Sequence, residues 1–209
     1  MISSGGQRPS ANNHRSTFNG LLTKILLSHK LQEHSFPQVV STTMYLIISG
    51  TNRIDSNTIK IAQQYQQLLS GKKIDARVLS LVGLDVLERN RSYIEIEDEL
   101  LIPAQKFIFI SPEYNGSIPG VLKCLFDISD VKKTWAGKKA LLTGVSTGRA
   151  GNLRGMEHLT GILHYMRVVV HPNKLPISIV DTLFGGSNSL ADKATLAAIG
   201  AQLEEFIEF

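Results

Sequence analysis

The chain has 209 residues, 43% of them hydrophobic and 19% charged, with a formal net charge of +4; this is the make-up of a globular protein with one main domain. A single cysteine, Cys124, excludes a disulfide framework and a cysteine-built zinc site, and fits a reducing, cytoplasmic setting. No apolar run approaches the roughly 18 residues that a membrane-spanning helix needs, so no membrane partner is expected.

Charge is uneven along the chain. Residues 1–43 hold Arg8, Arg15, Lys24 and Lys30 against Glu33 alone, so this segment carries +3 of the net +4. The near-neutral remainder lacks the clustered bases from which nucleic-acid binding draws its affinity, and no nucleic-acid partner is expected. The first 43 residues are dominated by Ser, Asn, Gln and His, with one weakly amphipathic patch from Leu21 to Leu31. They read as an N-terminal extension. Upstream sequence taken in by a generous start codon is the favoured origin, a disordered tail the next and a transit-like peptide the third. A secretory signal does not fit, because "LLTKILL" is short, is broken by Lys24 and has no small-residue cleavage site after it. The folded domain is expected over 44–209.

From Met44 short apolar runs alternate with amphipathic segments. Tyr45 to Ser49 reads as a strand, and Ser56 to Leu69 as a helix with Ile61, Tyr65, Leu68 and Leu69 on one face. Ile74 to Leu81 is a second strand. After a loosely patterned stretch containing "GLDVLERN", Lys106 to Ser111 is a third and Lys139 to Val145 a fourth. A fifth covers Arg167 to Val170, open to continuation as far as Ile179. Met156, Leu159, Leu163 and Met166 trace a helical stripe before it; Leu190, Ala194, Ala197 and Ala201 trace another at the C-terminus. Continuous apolar strands interleaved with helices imply an α/β fold with a parallel sheet covered on both faces.

In such a sheet, ligands bind beyond the carboxyl ends of the strands where the strand order reverses, so the loops after strands one, three and four matter most. The first, "SGTNRIDSNT", offers four hydroxyls, two amides and Arg53, and ends at a helix N-terminus, where unpaired N–H groups and a positive dipole would hold a phosphate. It is neither a Walker loop nor a dinucleotide fingerprint. Taken alone, it reads equally well as a solvated loop in which Asp55 or Ser56 caps the helix. The second, "SPEYNGSIPGVLK", is stiffened by Pro112, Gly116 and Pro119. The amides of Glu113, Tyr114 and Asn115 could face a planar heterocycle, with the Tyr114 ring as an apolar wall. A tight strand-to-helix connection with Tyr114 half-buried for packing explains the same residues. The third loop is "STGRAGNLRG", Ser146 to Gly155.

Together, "PEYNGSIPGVLK" and "SGTNRIDSNT" resemble the two motifs of the NADPH-dependent FMN reductase family, flavodoxin-like flavoenzymes that include azo, quinone and chromate reductases. The resemblance runs from Met44 to Phe209. It implies a flavodoxin-like three-layer sandwich whose five-stranded parallel sheet has the order 2-1-3-4-5, with helices on both faces. It places Ser49, Thr51, Arg53, Ser56, Asn57 and Thr58 at the flavin phosphate, Pro112, Glu113, Tyr114, Asn115, Gly116 and Ser117 along the isoalloxazine ring, and Thr147, Gly148 and Arg149 near the ring's polar edge. Two departures stand out. The tryptophan that commonly follows the Asp127 equivalent is displaced to Trp135, and "GRAGNLRG" stands where a glycine pair is common.

The resemblance further implies bound FMN, NADPH or NADH as co-substrate, a small-molecule electron acceptor (quinone, azo compound, metal ion or free flavin) and a homodimer or homotetramer. The cofactor would carry the chemistry, so no catalytic side chain and no metal site is expected. Glu113 is read as a loop hydrogen-bonding or interface residue, His158, His164 and His171 as ordinary polar contacts, and Cys124 as core. The rival function is a non-catalytic FMN-binding electron carrier, which the lack of an acidic docking surface disfavours.

Overall fold

The computed structural model describes residues 43–186 and 189–209, so the expectations for residues 1–42 lie outside the described residues. Four strands run parallel in the order β2-β1-β3-β4: β1 (Tyr45–Ser49), β2 (Ala76–Ser80), β3 (Lys106–Pro112) and β4 (Lys139–Val145). Two short strands, β5 (Val169–Val170) and β6 (Leu175–Ile177), both pair with β4 and share the fifth position. The order is the expected 2-1-3-4-5, and the last strand is split. Tyr45 pairs with Lys106 and Lys106 with Lys139, so β1, β3 and β4 start level and release their following loops along one edge of the sheet.

Alternation along the central strands divides the core in two, since successive side chains of a strand point to opposite faces. Leu46, Ile48, Phe107, Phe109, Ala140 and Leu142 pack on one face. There they meet Tyr93 of α2 (Arg91–Ile96), Leu122, Leu125 and Phe126 of α3 (Gly120–Ile128), and Met156, Leu159 and Leu163 of α5 (Leu153–Tyr165). Tyr45, Ile47, Ile108, Ile110 and Leu141 pack on the other, against Ile61, Tyr65 and Leu69 of α1 (Asn57–Gly71) and Ile199, Leu203 and Phe206 of α6 (Lys193–Glu208). The displaced Trp135 is fully buried, 4.9 Å from the Phe107 ring and 5.2 Å from Phe126, and its Nε1 donates to Ser129 Oγ at 2.6 Å. Cys124 is partly buried against the same cluster.

The Met156 to Met166 stripe is buried as its spacing predicts. The C-terminal stripe is corrected: Ala194, Ala197 and Ala201 face solvent, and Ile199, Gln202, Leu203 and Phe206 are buried instead. The larger side chains remove more apolar area from water, so they take the inner face of α6. Gln202 also explains the split fifth strand. Its Nε2 donates to Leu142 O in β4 and to Asn173 O between β5 and β6, at 3.1 and 2.8 Å, replacing strand pairing in the gap. Its Oε1 accepts from Tyr65 Oη at 2.5 Å, and burial drives the Tyr65 phenol upward, against the pull of the Thr143 hydroxyl bonded to it.

The loosely patterned stretch between β2 and β3 folds as α2 followed by a π-helical segment, Glu97–Leu101. Glu97 is fully buried. It is ion-paired with Arg89, and its Oε1 accepts from the Asp130 amide at 2.6 Å and the Thr134 hydroxyl at 2.9 Å, which ties this segment to α4 (Val131–Thr134). Burial alone would raise its carboxyl; Arg89 and the two other donors outweigh burial and hold it below the ordinary glutamate value. Lys138, also buried, donates to the carbonyls of Leu101 and Ile102, and desolvation brings its ammonium down to about 8. Among the described residues no helix is long and apolar enough to cross a membrane.

Candidate functional site

The first loop leaves β1 through Gly50, whose amide donates to Ile110 O at 2.8 Å. A Cβ here would lie 3.0 Å from Leu122 Cδ2 and 3.1 Å from Ile110 O, so the close approach suits glycine. Ser56 caps α1, its Oγ accepting from the Ile59 amide at 3.2 Å. That leaves the amides of Asn57 and Thr58 without intrahelical acceptors at the positive end of a 15-residue helix. The Asn57 side chain is engaged elsewhere: its Nδ2 donates at 2.5 Å to Asp181 in the short 3-10 turn Val180–Thr182.

The second loop is a two-residue hairpin. Asn115 and Gly116 have φ of 53° and 78°, and Tyr114 and Ser117 exchange backbone hydrogen bonds of 2.9 and 3.1 Å. Asn-Gly is the preferred pair for such a type I′ turn, because both central residues need positive φ. The expected roles of the amides change accordingly. Those of Glu113 and Tyr114 are bound to Val145 O and Ser117 O, and only the tip amides of Asn115 and Gly116 remain for a ligand. Tyr114 reaches back to the first loop, with its hydroxyl 2.6 Å from Thr51 Oγ1 and the Arg53 guanidinium 4.3 Å above its ring.

The third loop is pinned by Asn152, a residue that the motif reading passed over. It is fully buried with φ of 62°, and its Nδ2 donates to Ser111 O and Pro112 O at 2.9 and 3.0 Å, fastening the start of α5 to the exit of β3. Two glycines make room for it. A Cβ at Gly155 would lie 2.1 Å from Asn152 Oδ1, and one at Gly144 would lie 2.0 Å from Gly151 O. The sequence signal was present in "GNLRG", where glycines flank a lone amide. Ser146 closes the same loop, donating to Gly148 O at 2.9 Å and accepting from the Gly151 amide at 3.0 Å.

The three loops surround one cavity of about 620 Å³ beyond the carboxyl ends of β1, β3 and β4, where the strand order reverses, a size ordinary for a small-molecule site. It is lined by Thr51, Arg53, Ser56, Asn57 and Thr58, by Pro112, Glu113, Tyr114, Asn115 and Gly116, and by Thr147, Gly148 and Arg149. Ser49 and Ser117 are not on its wall. Ser49 is buried behind the loop, its hydroxyl without a partner among the described residues. Ser117 sits on the far side of the hairpin, its Oγ 2.9 Å from His158 Nδ1. Ile54, Asp55, Val145, Ser146, Ala150 and Val180 complete the lining and went unpredicted. Several of these face the cavity through ordinary loop or strand-end positions, which carry no motif. Among the described residues no cluster of metal-ligating side chains occurs.

An open parallel sheet with its cleft at the strand-order reversal, a helix N-terminus at one end of the cleft and a rigid hairpin at the other, defines a flavodoxin-like α/β protein. The NADPH-dependent FMN reductase family profile matches residues 43–181, and the chain belongs to that family. It is 34% identical over 123 residues to the NAD(P)H-dependent FMN reductase of Pseudomonas aeruginosa, covering 56% of this chain and 62% of that protein. It is 31% identical over 120 residues to the quinone reductase of Escherichia coli strain K12, covering 56% and 64%. The chain thus spans less than two thirds of the length of these curated relatives. Among solved structures, the flavoenzyme NAD(P)H:(acceptor) oxidoreductase FerB of Paracoccus denitrificans shares the fold with a TM-score of 0.68 at 22% identity, over 79% of this chain and 95% of that one.

Proposed function

We propose that the chain is an FMN-dependent NAD(P)H oxidoreductase that delivers electrons to a small-molecule acceptor of the quinone class. The observation that carries this reading is the pairing, across one cavity, of two unpaired helix-start amides with an Asn-Gly hairpin: an anion site at one end and a flat polar edge at the other. The donors fit FMN. Asn57 N, Thr58 N and the Ser56 and Thr51 hydroxyls would hold its phosphate, while Tyr114 and the tip amides of Asn115 and Gly116 would border its ring. When bound, FMN supplies the redox chemistry, taking electrons from a nicotinamide and passing them to the acceptor.

The chain's own contribution is placement. The hairpin fixes tip amides before any ligand arrives, and Asn152 holds the β3 exit, so these dipoles need not reorganise as charge builds on a bound group. Arg53 and Arg149 on the cavity wall suit the negative charge of a nicotinamide dinucleotide. We further read the protein as cytoplasmic and homodimeric or homotetrameric. An apolar groove of about 810 Å³ between α3 and α5, with Tyr165 88% and Val131 40% exposed, supports self-association.

The test is steady-state oxidation of NADH and NADPH by the purified, FMN-loaded protein with a benzoquinone acceptor. Turnover that depends on both FMN and quinone is expected. FMN binding without turnover would make the chain an electron carrier instead.

A further inference from the structure

We propose that Tyr114 is a positioning residue that clasps the phosphate end of the cleft to its ring end through Thr51, coupling the two halves of the ligand; this rests on the FMN reading above. Tyr114 Oη lies 2.6 Å from Thr51 Oγ1, and the two residues are 63 positions apart, one on each loop. Among the described residues this is the one side-chain hydrogen bond that joins those loops. Thr51 is buried and also accepts from the Arg53 amide at 3.3 Å, so the clasp anchors the turn that leads into α1. The Arg53 guanidinium lies 4.3 Å from the centre of the Tyr114 ring and covers the clasp. Tyr114 is only half-buried and lines the cavity, which separates it from the core tyrosines Tyr65 and Tyr93.

Hydroxyl bookkeeping gives the pair its special property. Each hydroxyl has one hydrogen to donate and two lone pairs. If Tyr114 donates to Thr51, the Thr51 hydrogen is left for the phosphate end. If Thr51 donates to Tyr114, the phenol hydrogen is left for the ring end. One donor therefore always faces the ligand, and an anionic group beside Thr51 selects the arrangement in which Tyr114 points back at the first loop. A phosphate that takes the Thr51 hydrogen thereby fixes the orientation of the phenol beside the ring, and this couples the two ends.

The test is a double-mutant cycle with Thr51→Val and Tyr114→Phe, each removing one hydroxyl while keeping the shape. Dissociation constants are read for FMN and for riboflavin, alongside amide hydrogen exchange of the flavin-free protein. Each single variant should weaken FMN by about 5- to 10-fold, the scale of one hydrogen bond, and riboflavin by less. The double variant should bind FMN no more weakly than the weaker single one. In the flavin-free protein both variants should speed exchange at residues 52–58 while sparing the central strands. Losses that multiply in the double variant, or single losses below about 2-fold, overturn the clasp and leave the FMN reading intact. Should wild type fail to bind FMN, that reading falls, and exchange decides the clasp alone: faster exchange confined to 52–58 supports it, and unchanged exchange overturns it.

Discussion

Replacing Asn152 by alanine removes the amide that fastens the third loop to the exit of β3. Its hydrogen bonds to Ser111 O and Pro112 O, 2.9 and 3.0 Å long, lie in a fully buried setting, so their loss should cost about 1–3 kcal/mol. Alanine must also hold φ of 62°, for about 1 kcal/mol more than asparagine, which tolerates the left-handed region. Among the described residues Asn152 Oδ1 has no partner, and removing this buried acceptor returns part of the loss. The net destabilisation is about 2–3 kcal/mol. Asn152→Gly keeps the backbone freedom and loses the same bonds, so it should recover about 1 kcal/mol relative to alanine. Urea denaturation of the three proteins measures both differences. In the same proteins FMN and riboflavin should weaken equally, since the displaced loops border the ring end. An unfolding free energy for Asn152→Ala within about 0.5 kcal/mol of wild type would refute the clamp.

Gly116→Val places a β-branched residue at φ of 78° with no atom of the described residues close enough to clash, so strain alone should lower flavin occupancy while the fold survives, as circular dichroism and flavin absorbance will show. Ser56→Ala should weaken FMN far more than riboflavin and lower stability by about 1 kcal/mol through the lost cap, whereas Asn57→Ala should act less on FMN because its side chain is held by Asp181; titration of both ligands separates the cases. Glu97→Gln sets an amide N–H against Arg89 and should cost about 2–4 kcal/mol. The Glu97 carboxyl sits below its unfolded value, so its stabilisation is complete above the unfolded glutamate range and fades as pH falls through the native value; the acid limb of stability should be shallower in the variant. Removal of residues 1–43 should leave flavin content and Tm nearly unchanged, tested by flavin quantitation and calorimetry.

Strand positions were readable because β1, β3 and β4 are continuous apolar runs, and a sheet buried on both faces leaves that pattern; the strand order came from the family resemblance. The cleft was readable at its hairpin, where Asn115-Gly116 can adopt few turns, and at Ser56, whose position marks a helix start. What escaped notice was set by packing across distance. Gln202 fills a gap in a strand 29 residues earlier and carries no local pattern, while Asn152 is marked locally by its flanking glycines but reaches a carbonyl 41 residues earlier that nothing local announces. The alanines of α6 matched helical spacing, yet spacing does not say which of two candidate faces buries more area. The amides of Glu113 and Tyr114 are consumed before a ligand arrives, the first by Val145 O at the end of β4 and the second by the hairpin itself, which shows only once the pairing and turn type are known.

The central claim, that electrons enter this chain from a nicotinamide through FMN held at the β1–β3 cleft, is tested most directly by anaerobic stopped-flow mixing of the FMN-loaded protein with NADH and, separately, NADPH. Absorbance near ~450 nm, the oxidised flavin band, should bleach in a saturable, single-turnover phase with at least one nicotinamide and return on addition of a quinone. A fully loaded protein whose absorbance stays unchanged with both nicotinamides would contradict the account.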